Sequence, residues 1–257
     1  MNFRIATAPA RGVPRTRPGL IRSGLTFALC IGLLLVASIP AVAQNQIDAC
    51  GDLQNAYGPY DYRTDRDKLP IVERFHFTPE VETLIRGNTG LIGGDIDYTL
   101  RAFPNHHRAL ISMIKLGERT KSRQPPGAKY TVECYFDRAI RFKPDDTIVR
   151  MIFATYLNKN GHEREAIQQL DEGAKLAGDD PFAHYNAGLL YFDMKIYDKA
   201  LQQAQVAYAL GFPRPALRES LTAIGKWVDS PAHSASAPAS TPVADTDRVV
   251  PVAPPFR

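Results

Sequence analysis

Three kinds of residue in this 257-residue sequence could do chemistry: six histidines, a run of glycines and three cysteines. The histidines form no H-E-x-x-H pair, and the chain has no G-x-S-x-G nucleophile motif. His106 and His107 are adjacent, and adjacent helical residues point about 100° apart, which disfavours binding of one metal ion. The sequence therefore predicts no catalytic residue, no metal site and no cofactor.

The glycine run lies at 87–94, and a loop of this kind can cradle phosphate. A P-loop ends in Gly-Lys-Ser/Thr, whereas Asp95 follows the last glycine here. A carboxylate at that place would repel phosphate. We therefore interpret the run as a turn before a helix that is capped by Asp95.

The N-terminal residues 1–43 are typical of a cleaved export signal. They hold five arginines and no acidic residue, and an apolar run at 25–39 precedes the small residues Ala41, Val42 and Ala43. We predict cleavage after Ala43 and a periplasmic location. The alternative is an uncleaved signal that anchors the protein and is its only contact with the membrane.

The net charge argues against a nucleic-acid partner. The whole chain has 31 basic and 27 acidic residues, but the predicted signal accounts for five of the basic ones. The remaining residues 44–257 are close to neutral, with 26 basic and 27 acidic side chains. Binding to nucleic acid needs a basic surface that releases counterions, and the exported chain lacks that excess of charge.

Export also changes the interpretation of the cysteines. Cys30 lies within the signal, whereas Cys50 and Cys134 would enter an oxidising compartment. We predict a disulfide between these two that fastens the N-terminal segment to the helical body. The alternative is two buried free thiols that act as small apolar fillers of the core.

Two consecutive segments of 34 residues, 147–180 and 181–214, have matching residue types at matching positions. Ala154 aligns with Gly188, and both segments have alanine at position 20. A 34-residue period indicates a helix–turn–helix repeat, and this pattern resembles the tetratricopeptide repeat family. The resemblance implies an all-α fold, a short solenoid in which antiparallel helix pairs stack into a superhelix.

Position 4 of each segment departs from the family pattern. The family has a large aromatic residue there, and Arg150 and His184 stand in its place. We predict a buried or half-buried role for His184.

The rest of the chain divides by composition and by turn signals. Residues 44–77 have no helical period, which predicts an irregular arm that wraps the body, with one short helix near 47–57. Residues 229–257 are rich in Pro, Ala and Ser and predict a disordered tail. The predicted helical domain, 78–228, consists of a degenerate pair (78–104), three repeats (about 105–146, 147–180 and 181–214) and a capping helix (215–228).

The resemblance also implies a binding groove. In the tetratricopeptide family, positions 2, 5, 9 and 12 of each first helix face the concave side of the stack. Here those positions are mostly apolar, and Asn186 at position 6 is placed to hold a peptide backbone. The predicted partner-binding residues are Ile148, Met151, Thr155, Asn158, Phe182, Tyr185, Asn186, Leu189 and Phe192.

These features predict an exported adaptor, not an enzyme, whose apolar groove binds a protein or peptide partner in the cell envelope. One alternative is a structural or stress-related envelope protein whose own arm fills the groove. Another is an enzyme with scattered polar residues, for which the sequence has no motif.

Overall fold

The computed structural model describes residues 50–229. The predicted signal, the first six residues of the predicted arm and residues 230–257 of the predicted tail lie outside the described residues. Within 50–229 all regular structure is helical and no β-strand occurs, so the all-α prediction is confirmed. In this part of the chain, no helix combines the length and apolar character needed to cross a membrane.

Ten α-helices lie between residues 66 and 229, and helices adjacent in sequence pack against one another. They are α1 (Leu69–His76), α2 (Pro79–Glu82), α3 (Ile92–Ala102), α4 (His107–Thr120), α5 (Val132–Phe142), α6 (Thr147–Lys159), α7 (Glu163–Leu176), α8 (Pro181–Asp193), α9 (Tyr197–Ala209) and α10 (Ala216–Ala223).

The two matching segments of the sequence form two matched helix pairs. Helix α6 packs along α7, and α8 packs along α9. Small residues allow the close approach: Ala154 and Ala166 are buried, and a Cβ added at Gly188 would lie 3.4 Å from the Ala200 carbonyl oxygen of α9 and 2.6 Å from Leu217 Cδ2 of α10. Leu217 and Leu221 of α10 are themselves fully buried, so α10 covers the end of the second pair.

Position 4 of each pair is occupied by a buried polar side chain with matched hydrogen bonds. Arg150 donates to the carbonyl six residues earlier and to a glutamine 19 residues later, at 3.0 and 2.9 Å. His184 contacts the carbonyl six residues earlier and a glutamine 19 residues later, each at 2.7 Å. The partners are Pro144 and Gln169 for Arg150 and Gly178 and Gln203 for His184. At position 4, hydrogen bonds thus take the place of the packing contacts that the aromatic residue of the family would make. The buried role predicted for His184 is confirmed.

Two helices near the N-terminal end differ from the prediction. Helix α1 lies within the segment predicted to be irregular, because in a helix of eight residues the exposed apolar residues Ile71 and Phe75 obscure the period of the buried Leu69 and Val72. The first helix of the degenerate pair predicted for 78–104 has only four residues and ends at Glu82, because Leu84 adopts the left-handed φ of 62° and buries its side chain.

A disulfide joins Cys50 to Cys134 of α5, as predicted, and links chain positions 84 residues apart. Arg138, one turn further along α5, is 1% exposed and donates from Nη1 to the Cys50 carbonyl at 3.0 Å and to the Asp52 carbonyl at 2.5 Å. Its guanidinium carbon lies 4.6 Å from the centroid of the Tyr130 ring. Burial lowers the pKa of Arg138, and carbonyl groups rather than a carboxylate balance its charge.

A buried polar network joins the arm to the start of α4 and the start of α6. The Asn105 amide donates to Asp61 Oδ1 at 2.7 Å and to Asp146 Oδ2 at 2.8 Å. His107 Nε2 lies 2.9 Å from Asp146 Oδ2, and the Arg63 guanidinium lies 2.9 Å from Asp61 Oδ2. Because each buried polar group has a partner, the network fixes where the arm meets the helices.

His106 caps the N-terminus of α4 with its side chain. Its Nδ1 accepts from the Ala109 N–H at 3.1 Å, and its Nε2 lies 3.3 Å from Glu73 Oε1. The ring is fully buried, and burial lowers the pKa of His106 despite the nearby Glu73 carboxylate. A neutral ring is required, because protonation of Nδ1 would remove the lone pair that caps the helix.

The lowered pKa predicts that His106 makes folding pH-dependent. The unfolded chain takes up this proton near pH 6.5 and the folded chain only at lower pH, so His106 lowers stability as the pH falls below about 6.5. The slope approaches about 1.4 kcal/mol per pH unit. Between pH 7.5 and pH 5.5, the free energy of unfolding of His106→Asn should fall by about 1 kcal/mol less than that of the native protein, as measured by urea unfolding.

His162→Asn is the matched control, because His162 is exposed at the start of α7. This variant should lose as much stability as the native protein between the two pH values. Equal losses in His106→Asn and the native protein would contradict the assignment.

Candidate functional site

A cleft of about 230 Å³ opens between the C-terminal halves of α6 and α8. Its floor is apolar: Ala154 and Leu170 are almost fully buried, and Leu190 and Met194 are partly buried. The cleft forms because an alanine on α6 leaves space that the side chains of α8 do not fill. The lining residues are Ala154, Thr155, Asn158, Lys159, Leu170, Leu190, Asp193 and Met194.

The rim of the cleft is polar, and its groups differ in availability. Lys159 Nζ lies 2.8 Å from Glu118 Oε1, and the Thr155 hydroxyl donates to its own helix backbone four residues earlier. Asn158 and Asp193 are both exposed at the edge, and no ion pair within residues 50–229 reaches Asp193. Neighbouring protein atoms partly desolvate the Asp193 carboxylate and raise the pKa of Asp193 above its usual value. The rim therefore offers an amide and an unpaired carboxylate beside an apolar floor.

The structure brings only two of the nine predicted binding residues, Thr155 and Asn158, to this cleft. Met151 and Tyr185 are buried, with 1% and 5% of their surface exposed, so they cannot contact a partner. The Tyr185 ring stacks on Phe212, with centroids 4.2 Å apart. The remaining five are partly exposed: Ile148, Phe182, Asn186, Leu189 and Phe192.

The role predicted for Asn186 also changes. Its side-chain amide donates to the Phe182 carbonyl of its own helix at 2.8 Å, so these donors are directed at the backbone of α8. The family-based positions assumed that every first helix faces a shared hollow. In the described chain, Tyr208 at the end of α9 and Phe212 just after it pack against Tyr185 and so cover part of the face of α8 that was predicted to bind a partner.

Sequence reasoning missed Leu190, Asp193 and Met194. Helix α8 is apolar around most of its circumference, so periodicity could not single out Leu190. One signal was present: Lys159 and Asp193 occupy the same position of consecutive 34-residue segments with opposite charges. Such a reversal marks a place where the two helices face different surroundings.

Within residues 50–229, no group of three or more His, Cys, Asp or Glu side chains could hold a metal ion. No protein-family model matches the chain, and no curated protein matches it.

Proposed function

We propose that this chain is an exported adaptor of the tetratricopeptide type that binds a protein or peptide partner in the cell envelope. The observation behind the proposal is the cleft between α6 and α8, which has an apolar floor and an open polar rim. It is smaller than the roughly 300–1,000 Å³ of typical small-ligand pockets. Its size and openness suit one or two side chains of a polypeptide.

The matched hydrogen bonds of Arg150 and His184 support the repeat interpretation. They recur at a spacing of 34 residues, from the same turn to the same helix of each pair. Stacked helix pairs of this kind create concave surfaces that bind other proteins. The Cys50–Cys134 disulfide is compatible with export to an oxidising compartment.

The contacts of the arm favour an adaptor over a structural protein with a filled groove. Arg138 and Arg141 of α5 bind the backbone at the start of the described arm, and Tyr60 N–H donates to the Ala102 carbonyl at the end of α3. The polar network then ties the arm to the starts of α4 and α6. These contacts lie outside the residues that line the cleft.

The rim indicates the chemistry of the partner. An apolar side chain such as Leu, Met or Phe would enter the cleft, and the Asn158 amide is placed to bond the backbone beside it. A Lys or Arg next to the apolar residue would pair with Asp193, whose carboxylate has no cation of its own in residues 50–229. We therefore propose an apolar segment with an adjacent basic residue as the ligand.

A peptide-binding experiment tests this proposal. Short peptides with a central Leu, Met or Phe should bind more tightly with a neighbouring Lys than with a neighbouring Asp. Met194→Glu should weaken binding more than about tenfold, because it places a carboxylate in the apolar cleft. Leu210→Glu is the matched control, since Leu210 is exposed at the end of α9 and does not line the cleft.

Fluorescence anisotropy of labelled peptides gives the affinities. Asp193→Asn should keep the apolar preference and lose the preference for Lys. The proposal fails if no peptide of this class binds, or if Met194→Glu binds as tightly as Leu210→Glu.

A further inference from the structure

A second pocket, of about 210 Å³, lies between α1, α3 and the arm. Its walls are apolar and aromatic, and the polar groups of its lining residues are the His76 imidazole and the hydroxyls of Tyr57 and Tyr98. Ile71 and Phe75, one turn apart on α1, are 54% and 48% exposed at its edge. The lining residues are Tyr57, Ile71, Val72, Phe75, His76 and Tyr98.

His76 is held by a fully buried carboxylate. Its Nδ1 lies 3.1 Å from Asp95 Oδ1, and its ring stacks on Tyr98 with centroids 3.8 Å apart. The turn at 87–91 wraps Asp95, whose Oδ2 accepts from the N–H groups of Asn88 and Thr89 at 2.7 and 3.1 Å. Asp95 was predicted to cap the next helix, but helix α3 begins at Ile92, so Asp95 lies inside its first turn and is not the cap.

These contacts determine the charge of Asp95 and the tautomer of a neutral His76 ring. Burial raises the pKa of Asp95, but hydrogen bonds from Thr89, His76 and Asn88 outweigh it and hold the pKa below its usual value. The carboxylate is therefore ionised and can only accept, so the His76 proton lies on Nδ1. In the neutral ring Nε2 is then an acceptor, and it has no hydrogen-bond partner within residues 50–229.

We propose that this pocket binds a monocyclic phenol, whose ring packs against Ile71 and Phe75 while its hydroxyl donates to His76 Nε2. A carboxylated ring would fit less well, because two acceptors would meet at Nε2. The Tyr57 hydroxyl does not donate to the ligand, since it donates to the Lys68 carbonyl at 3.1 Å. The pocket lies on different helices from the cleft between α6 and α8, so the inference does not depend on the proposed function.

Two probes that differ only by a hydroxyl group, p-cresol and toluene, test the proposal. Titration monitored by NMR at neutral pH should give saturable binding of p-cresol about three- to tenfold tighter than that of toluene, which is the effect of one hydrogen bond. His76→Phe should abolish this difference while toluene still binds. His162→Phe, at an exposed histidine, should preserve it.

Phe75→Ala provides a second variant, because this exposed edge residue can be shortened without opening the core. It should weaken both probes and keep the preference for p-cresol. The proposal is overturned if p-cresol does not saturate the native protein, if toluene binds equally well, or if His76→Phe retains the preference with a native circular-dichroism spectrum.

Discussion

Replacing Asp146 by alanine is expected to lower the free energy of unfolding by about 3–5 kcal/mol, whereas Asp180→Ala should lower it by only about 1 kcal/mol. The two aspartates are 34 residues apart, each directly precedes one of the two 34-residue segments, and each caps the N-terminus of a helix. The comparison therefore separates the effect of a lost cap from that of a broken buried network.

The difference arises from burial and from the number of partners. Asp146 is 1% exposed, and its carboxylate accepts from the Val149 N–H at 3.3 Å, from Asn105 at 2.8 Å and from His107 at 2.9 Å. Burial raises the pKa of Asp146, but His107 and Asn105 hold the pKa below its usual value, so the carboxylate is ionised. Removing it would leave buried donors without an acceptor.

Asp180, in contrast, is exposed, and its side chain accepts from the Phe182 N–H at 2.9 Å. Its loss removes one cap that water can partly replace, which typically costs about 1 kcal/mol. Urea unfolding of both variants measures the two values. Thermal unfolding should show a fall in Tm of about 10 °C for Asp146→Ala and a few degrees for Asp180→Ala. Equal losses in the two variants would show that the network adds nothing to the cap.

Reduction of the Cys50–Cys134 disulfide is expected to lower the free energy of unfolding by about 3–5 kcal/mol. The bond closes a long loop, since its cysteines are 84 residues apart, and constraint of the unfolded chain grows with loop length. A local effect adds to this. Arg138 is buried with its Nη1 bonded to the carbonyls of Cys50 and Asp52, and fraying of the arm would leave the guanidinium without acceptors.

Urea unfolding with and without a reductant measures this contribution. A Cys50→Ala/Cys134→Ala double variant should match the reduced native protein and should not respond to the reductant. Unchanged stability of the native protein after verified reduction of the bond would show that the helical packing alone fastens the arm. Arg138→Met in the oxidised protein would then report how much of the attachment depends on the buried guanidinium.

The sequence by itself determined the features that depend on local or pairwise chemistry. Small residues at 34-residue spacing, such as Ala154 and Gly188, predicted two matched helix pairs, because only small side chains let helices approach closely. Cys50 and Cys134 were paired correctly, since they were the two cysteines left once Cys30 had been assigned to the predicted signal. The glycines also predicted the turn before helix α3, although the helix begins at Ile92 and so includes the last two of them.

Only the tertiary structure decided which side chains remain available for binding. Met151 and Tyr185 were predicted to line a groove, yet both are buried. Phe212, which follows α9, covers the Tyr185 ring. Asp193 and Met194 reach the cleft because of how α8 sits against α6, which no periodicity records. Likewise, the buried Asp146 carboxylate accepts hydrogen bonds from Asn105 and His107, which lie about 40 residues earlier in the chain. Contacts between such distant segments depend on the packing of the whole chain.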